Sequence, residues 1–284
     1  MSGVVSGQKK RDPALFGAVF LLGLLSLAAL LAPLLAPHDP MRQMLLMRLK
    51  PPGFSPGGGA PFLFGSDELG RDILSRTVFS LRLSLLVALS SSGLSAILGV
   101  FVGLVAGWRG GGVDRLAMRL ADVVLSVPTL ILAIFAIAVI GPGVATLIGV
   151  LAFARWPRHA RLARAETLRL REKSYVQAAR LAGAGTGRIL VRHILPNAAG
   201  PLIVLVAAEV GLMVLFEAGL TFLGLGIAPP QPALGAMLGS GRLYLDSAWW
   251  MTVFPGLAIF CLVLALTILS DRLRDRLDPA RAAG

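Results

Sequence analysis

The stretch GVATLIGVLAFA, residues 143–154, decides how often this chain crosses a membrane. It is apolar throughout, but at twelve residues it falls short of the about 20 that a spanning helix needs. It starts after a strong break, Gly141-Pro142-Gly143. It ends against ten basic residues: Arg155, Arg158, Arg161, Arg164, Arg169, Arg171, Lys173, Arg180, Arg188 and Arg192. Loops that collect Lys and Arg stay in the cytoplasm. The N-terminal cluster Lys9, Lys10, Arg11 belongs on the same side. An even number of spans must then separate the two, so residues 143–154 have to cross, extended through Trp156.

Working outward, the other apolar runs are residues 14–36, 83–107, 121–140, 198–223 and 249–269. The first is longer than the apolar part of a signal peptide and lacks a clear cleavage site, so it reads as an uncleaved helix. Arg109, Arg115 and Arg119 then fall inside, as do Arg272, Arg274, Arg276 and Arg281. The sequence therefore predicts an all-α integral membrane protein of six transmembrane helices with both termini cytoplasmic. Composition agrees. Of 284 residues 56% are hydrophobic and 15% charged, and the mean hydropathy is +0.78. That excludes a disordered chain, a disulfide scaffold and an ordinary cytosolic enzyme. The net charge of +12 follows from cytoplasmic loops and does not call for nucleic acid. Cys261 is the single cysteine, so no intrachain disulfide can form.

Residues 37–80 form an external segment. It opens with the irregular stretches Lys50-Pro51-Pro52-Gly53 and Gly57-Gly58-Gly59. It closes in an expected short helix with Ser66 as N-cap and Asp67 and Glu68 at its positive end. Asp67/Arg71 and Asp72/Arg76 are spaced as i,i+4 pairs on that helix.

Catalytic signatures are missing. None of the lysines follows a glycine as in a phosphate-binding Walker loop. Gly183, Gly185 and Gly187 do not complete a dinucleotide fingerprint, because position 188 is arginine. His38, His159 and His193 lack metal spacing. Gly53-Phe54-Ser55-Pro56-Gly57 matches a nucleophile elbow in letters, but Pro-Pro before it and Gly-Gly after it remove the strand and helix that elbow requires. The basic residues are not interleaved with aromatics for stacking bases. The sequence predicts neither an enzyme nor a cofactor.

The stretch with most to say about function is residues 175–197, YVQAARLAGAGTGRILVRHILPN. On a helix, Ala178, Ala179, Ala182 and Gly183 form a stripe of small residues, which admits close approach of another surface. Gly183 or Gly185 can end that helix in a left-handed conformation. Thr186 can cap a second short helix, Pro196 disfavours helical geometry at Leu195, and Asn197 suits the cap of the fifth span. The pattern is helix, glycine turn, helix, break, span, and it reads as a docking element.

Here the chain resembles a family. Gln177-Ala178-Ala179, then Gly183, then Leu195-Pro196 is similar to the EAA loop of ABC-transporter permeases, which forms the coupling helix docking on the ATPase subunit. Gln177 stands where that family has Glu, and His193 where it has Ile. Residues 64–76 (FGSDELGRDILSR), 122–128 (DVVLSVP), 217–226, 229–242 and 274–279 (RDRLDP) resemble the C-type subunit of dipeptide, oligopeptide and nickel permeases. The resemblance covers most of the chain. It implies a type I ABC permease fold at the bacterial or archaeal inner membrane and half of an import pore. The implied partners are a B-type permease subunit, two ABC ATPase subunits and an extracytoplasmic solute-binding protein. The residues it marks for ATPase coupling are Tyr175, Gln177, Ala178, Ala179, Arg180, Gly183, Leu195 and Pro196. It divides the chain into residues 1–80 (N-terminus, first helix, external segment), 81–278 (transmembrane domain) and a tail, 279–284. ATP binding would close the ATPase dimer, push on residues 175–185 and open the pore outward.

Two acids lie inside the fifth span, Glu209 and Glu217. Buried acids in a membrane face protein or water, so each either lines the pore or fixes packing to a neighbouring helix. Packing is the preferred reading for Glu217. Gly99, Gly103 and Gly107 recur every four residues in the second span and make a packing face. An ion-driven secondary transporter would use the two acids as a relay and Pro128 as a helix break, but it predicts internal repeats that the sequence lacks. A membrane scaffold would not need the coupling loop. With no metal-ligand cluster in the sequence, peptides are the preferred cargo over nickel.

Overall fold

The computed structural model describes residues 13–57 and 59–277. Among them the fold is helical, with isolated bridges but no strand. The expected cytoplasmic cluster Lys9, Lys10, Arg11 and the tail from Asp278 through Pro279 to Arg281 and residue 284 lie outside the described residues.

Helix α1 (Pro13–Leu30) begins at a proline, whose missing N–H costs nothing in a first turn. Its ring of Phe16, Phe20, Leu24, Leu27 and Leu30 is exposed, while Ala18 and Ala29 are buried. Such a helix suits a lipid solvent with one small-residue seam against neighbours. A single turn, α2 (Ala32–Leu35), continues it.

Residues 37–72 then fold as a compact knot rather than a loose loop. Phe54 pairs with Phe62 and Ser66 with Asp72 as isolated antiparallel bridges. His38 stacks on Phe62 at 4.7 Å, and its backbone N–H donates to the Ser75 hydroxyl. The indole N–H of Trp250, far along the chain, donates to the Ser66 carbonyl at 3.1 Å. Gly65, at φ +80, lies so close to that indole that any Cβ would collide with it.

Two expectations for this segment fail. Ser66 caps no helix, because its hydroxyl donates to the Met47 carbonyl and accepts from Lys50 N–H. The cap is Asp72, whose carboxylate accepts from the backbone N–H of Ser75 at 2.8 Å and opens α3 (Ile73–Arg109). Asp67 instead closes a tight turn onto Gly70 and Arg71, so its ion pair with Arg71 spans a turn. Arg76 does not pair with Asp72 as its spacing suggested. It donates to the Pro40 carbonyl and lies 3.5 Å from Asp67.

At 37 residues α3 is the longest element and runs through positions 80 and 81. Gly110 and Gly111, at φ +65 and +58, turn the chain into α4 (Gly111–Ser126). The expected third span, residues 121–140, is not one helix. Val127 and Pro128 are extended, and α5 (Thr129–Ile140) leaves at 89° to α4. Pro128 is the cause, since it forces the residue before it out of helical geometry.

Helix α6 (Val144–Arg171) is also longer than expected. The stretch 143–154 is only its first half, and the basic residues from Arg155 to Arg171 continue the same helix rather than a loop. After it come α7 (Ser174–Leu181), α8 (Thr186–Ile189), a π turn (Leu190–Ile194) and α9 (Leu195–Phe222). The break expected at Pro196 is absent. Leu195 is helical (φ −56, ψ −44), and its N–H reaches back five residues to the Leu190 carbonyl. The wider π turn and the proline's place in the first turn of α9 let the chain pass without a gap. Thr186 is the first helical residue rather than a side-chain cap. Asn197 donates from its side chain to the His193 carbonyl at 2.7 Å, one turn earlier. Last come α10 (Leu234–Gly241) and α11 (Trp250–Leu277).

Among the described residues, four helical stretches are long and apolar enough to cross a membrane: Pro13–Leu30, Ile73–Arg109, Thr186–Phe222 and Trp250–Leu277. The bent pair α4–α5 makes a fifth if it is one span. Helix α6 carries Arg155, Arg158 and Arg161 where a clean apolar span carries none.

Packing centres on α3 and α6. Gly99 faces the Trp156 carbonyl and His159, Gly103 the Ala160 carbonyl and Ala163, and Gly107 Thr167 and the Arg164 carbonyl. A Cβ at any of the three would come within 3.0 Å of α6. Against α9 and α10, α3 shows hydroxyls. Ser80 reaches Met237, Ser84 reaches Glu217, and Ser92 donates to the Val206 carbonyl at 3.2 Å.

Candidate functional site

Helix α7 carries five of the residues marked for coupling: Tyr175, Gln177, Ala178, Ala179 and Arg180. It sits on the bundle through Val176, buried with Leu170, Ile189, Ile194 and Ala198. The rest of its surface faces outward. Tyr175, Gln177 and Ala178 are exposed, and Leu181 is 90% exposed. Leu181 escaped the sequence reading. A leucine at the end of an otherwise polar and small face was the available signal.

Gly183 ends α7 at φ +81. Its N–H donates to the Arg180 carbonyl and that of Ala184 to Ala179, the paired bonds of a Schellman stop. No atom lies within 4 Å of where a Gly183 Cβ would be, so this glycine serves its backbone angle and an open surface. Gln177 donates from its amide to the Glu172 carbonyl at the end of α6, 3.3 Å away. A glutamate there could not donate, so the departure from the usual Glu gains a tie to α6. Leu195 and Pro196 stand at the start of α9, with Leu195 packed on the cluster that holds Val176. The α7 turn and the α9 entrance thus share one core.

Further into the bundle, Glu209 is 1% exposed and held by the guanidinium of Arg155 through two bonds of 2.7 Å. Arg158 approaches the same carboxylate at 3.4 Å, and Arg155 also lies over the Phe216 ring at 5.5 Å. The sequence alone places Arg155 in a basic loop. It is a buried residue of α6 whose planar fork matches a carboxylate. One turn away Ser95 contacts His159 Nδ1 at 3.1 Å.

Glu217 is fully buried. Ser84 of α3 donates to it at 2.7 Å and Thr221, one turn on in α9, at 3.1 Å. The Thr221 hydroxyl accepts in turn from Ile227 N–H. Glu209 therefore ties α9 to α6, and Glu217 ties α9 to α3 and to the turn after α9. Among the described residues no cluster of three or more acids, histidines or cysteines could hold a metal ion.

Residues 99–282 match the family described as binding-protein-dependent transport system inner membrane component. Residues 9–52 match the N-terminal TM domain of oligopeptide transport permease C. The chain belongs to this family of inner-membrane transport permeases. The family is not one of enzymes.

Individual relatives agree over nearly the full length. The di/tripeptide transport system permease protein DppC of Pseudomonas aeruginosa is 45% identical, across 94% of this chain and 88% of its own. The dipeptide permease DppC of Haemophilus influenzae is 38% identical, across 95% and 92%. Among solved structures, the inward-facing MetNI methionine ABC transporter covers 72% of this chain and 96% of its own at a TM-score of 0.56. A crystal structure of an amino acid ABC transporter covers 71% and 94% at 0.54. At 19% and 15% identity these two carry the fold of an ABC permease and nothing further.

Proposed function

We propose that this chain is the C-type permease subunit of an ABC importer for di- or oligopeptides. It supplies half of the translocation path beside a second, B-type permease. An extracytoplasmic binding protein delivers the cargo, and two ATPase subunits drive the cycle. The observation that carries the coupling role is α7: a short helix pinned by one buried valine, stopped by a left-handed glycine, and otherwise presented outward. The peptide cargo rests on the peptide-permease names of relatives at 45% and 38% identity.

In this reading α6 also crosses the membrane, giving six spans with both termini in the cytoplasm. Its charges do not forbid that, because the outer half is apolar and Arg155 is neutralised within the bundle by Glu209. The residues that meet the ATPase are Tyr175, Gln177 and Ala178 of α7 and Gly183 just after it, while Arg180 couples from the other side, its guanidinium turned back onto the bundle. ATP-driven closure moves α7, and the shared core around Val176 and Leu195 passes that motion to α9.

Uptake by intact cells with and without the gene tests the cargo, using labelled dipeptide, labelled pentapeptide and nickel in parallel. Loss of peptide uptake alone is the expected result. Loss of nickel uptake alone overturns the peptide reading and keeps the importer.

A further inference from the structure

We propose that Trp108, in the last turn of α3, is the seat through which α7 moves α3, with Arg180 as the arm that reaches it. This rests on the reading of α7 as the ATPase-docking helix.

The backbone of α7 packs on α6 and α8. It reaches α3 through a side chain: the Arg180 guanidinium lies over the Trp108 ring, 5.2 Å from its centroid. A second tie runs alongside, where Arg171 at the end of α6 donates to the Gly107 carbonyl at 3.0 Å. The neighbouring α8 leaves an open cleft against α3, lined by Phe101, Val105, Trp108, Thr186, Gly187 and Leu190. Trp108 also borders the core that holds Val176 and Ile189, so the indole that receives the arm stands at the edge of the cluster on which α7 sits.

A cation over an aromatic face is an attraction of about 0.5–2 kcal/mol that tolerates sliding. It keeps a moving helix attached where a tightly packed contact would jam. What Trp108 receives, α3 passes on. Gly99, Gly103 and Gly107 lock α3 to α6, and Ser84 and Ser92 bond it to α9. A push on α7 thus arrives at α3 and α6 as one body, and at α9 both through α3 and through the core that holds Val176 and Leu195. The competing role for Trp108 is an anchor at the membrane–water interface, which would not involve Arg180.

The test uses the complete transporter, with its ATPases and binding protein, in proteoliposomes. It measures peptide taken up per ATP hydrolysed, and the amount of ATPase copurified. Trp108→Leu keeps apolar bulk and removes the π face, whereas Trp108→Phe keeps a π face. The leucine variant should copurify its ATPase and lose about fivefold in uptake per ATP, the equivalent of a cation–π contact of about 1 kcal/mol. The phenylalanine variant should recover most of that. Arg180→Gln added to Trp108→Leu should cost no more than either change alone, since coupled partners are not additive. Equal losses from Leu and Phe, or additive losses from Trp108 and Arg180, overturn the proposal and leave the docking role of α7 in place. Failure of the unaltered chain to copurify any ATPase overturns the docking reading and this inference with it.

Discussion

Replacing Gly103 by alanine, with Gly93 of the same helix as control, sets a packing cost against a helix-propensity gain. In α3 both glycines are helical, so either substitution gains about 0.5–1 kcal/mol from the lost freedom of the unfolded chain. At Gly93 nothing lies within 4 Å of the new methyl. At Gly103 it meets the Ala160 carbonyl oxygen at 2.3 Å, the Ala163 Cβ at 2.7 Å and the Arg164 N at 2.9 Å. Two of the three are backbone atoms and cannot swing aside. Restoring even 3.0 Å to the closest contact means parting α3 and α6 by about 0.7 Å at that level. A radial gap of that size forfeits about a quarter to a half of the dispersion energy of the atoms it separates. Forced overpacking costs about 1–3 kcal/mol, and a backbone collision belongs in the upper part of that range. The net expectation is a loss of about 1–2 kcal/mol for Gly103→Ala and a gain of up to about 1 kcal/mol for Gly93→Ala. Thermal unfolding of the purified protein in one detergent reads both. The melting temperature should fall by a few degrees for the first and hold or rise for the second. If both shift by the same amount in the same direction, the close approach of α3 and α6 is wrong.

Three further outcomes follow from the site. Arg155→Ala leaves the Glu209 carboxylate buried without its fork and should cost about 3–5 kcal/mol in thermal or denaturant unfolding. Replacing both by Met and Leu should recover most of that, and a double variant as unstable as the single one refutes the pairing. Gly183→Arg forces a side chain into left-handed geometry, about 1–2 kcal/mol of local strain, on a surface otherwise open. Peptide uptake should be abolished while the permease pair still assembles, and normal uptake removes α7 from the coupling role. Glu217→Gln keeps two oxygen or nitrogen partners for Ser84 and Thr221 and should shift the melting temperature before it shifts the ranking of peptides in a competition uptake assay. A changed ranking at unchanged stability would assign Glu217 to the path instead.

Much of the architecture was legible because it rests on local rules. Apolar runs located the four helices long and apolar enough to cross a membrane, glycines at four-residue spacing located the α3 face that meets α6, and Gly183 is one of the two glycines the sequence offers as a left-handed stop. What escaped was settled by residues far apart in sequence. Ser66 and Asp72 are equally good caps by type, and the choice fell to Asp72 because Trp250 and Lys50 claim the Ser66 backbone and side chain. Arg155 was assigned to a basic loop because charge counting cannot see that an acid 54 positions later lies within bonding distance. Pro196 looked like a break because the penalty before proline is real in an α-helix, and a π turn is a way around it that sequence does not announce. Pro128, by contrast, does break the helix between α4 and α5, and there the local rule prevails.

The length of α3 has a mechanical consequence. Thirty-seven helical residues make a rod of about 55 Å. One end is fastened into the knot of residues 37–72 by Asp72, Ser75 and Arg76, and the other carries Trp108. Glycine contacts along its C-terminal half hold it against α6, so it tilts more readily than it flexes. About a mid-point pivot, a tilt of about 10° carries each end roughly 5 Å, in opposite directions. The knot and the α7 arm are thus the two ends of one lever, and neither face of the protein can be rearranged in private.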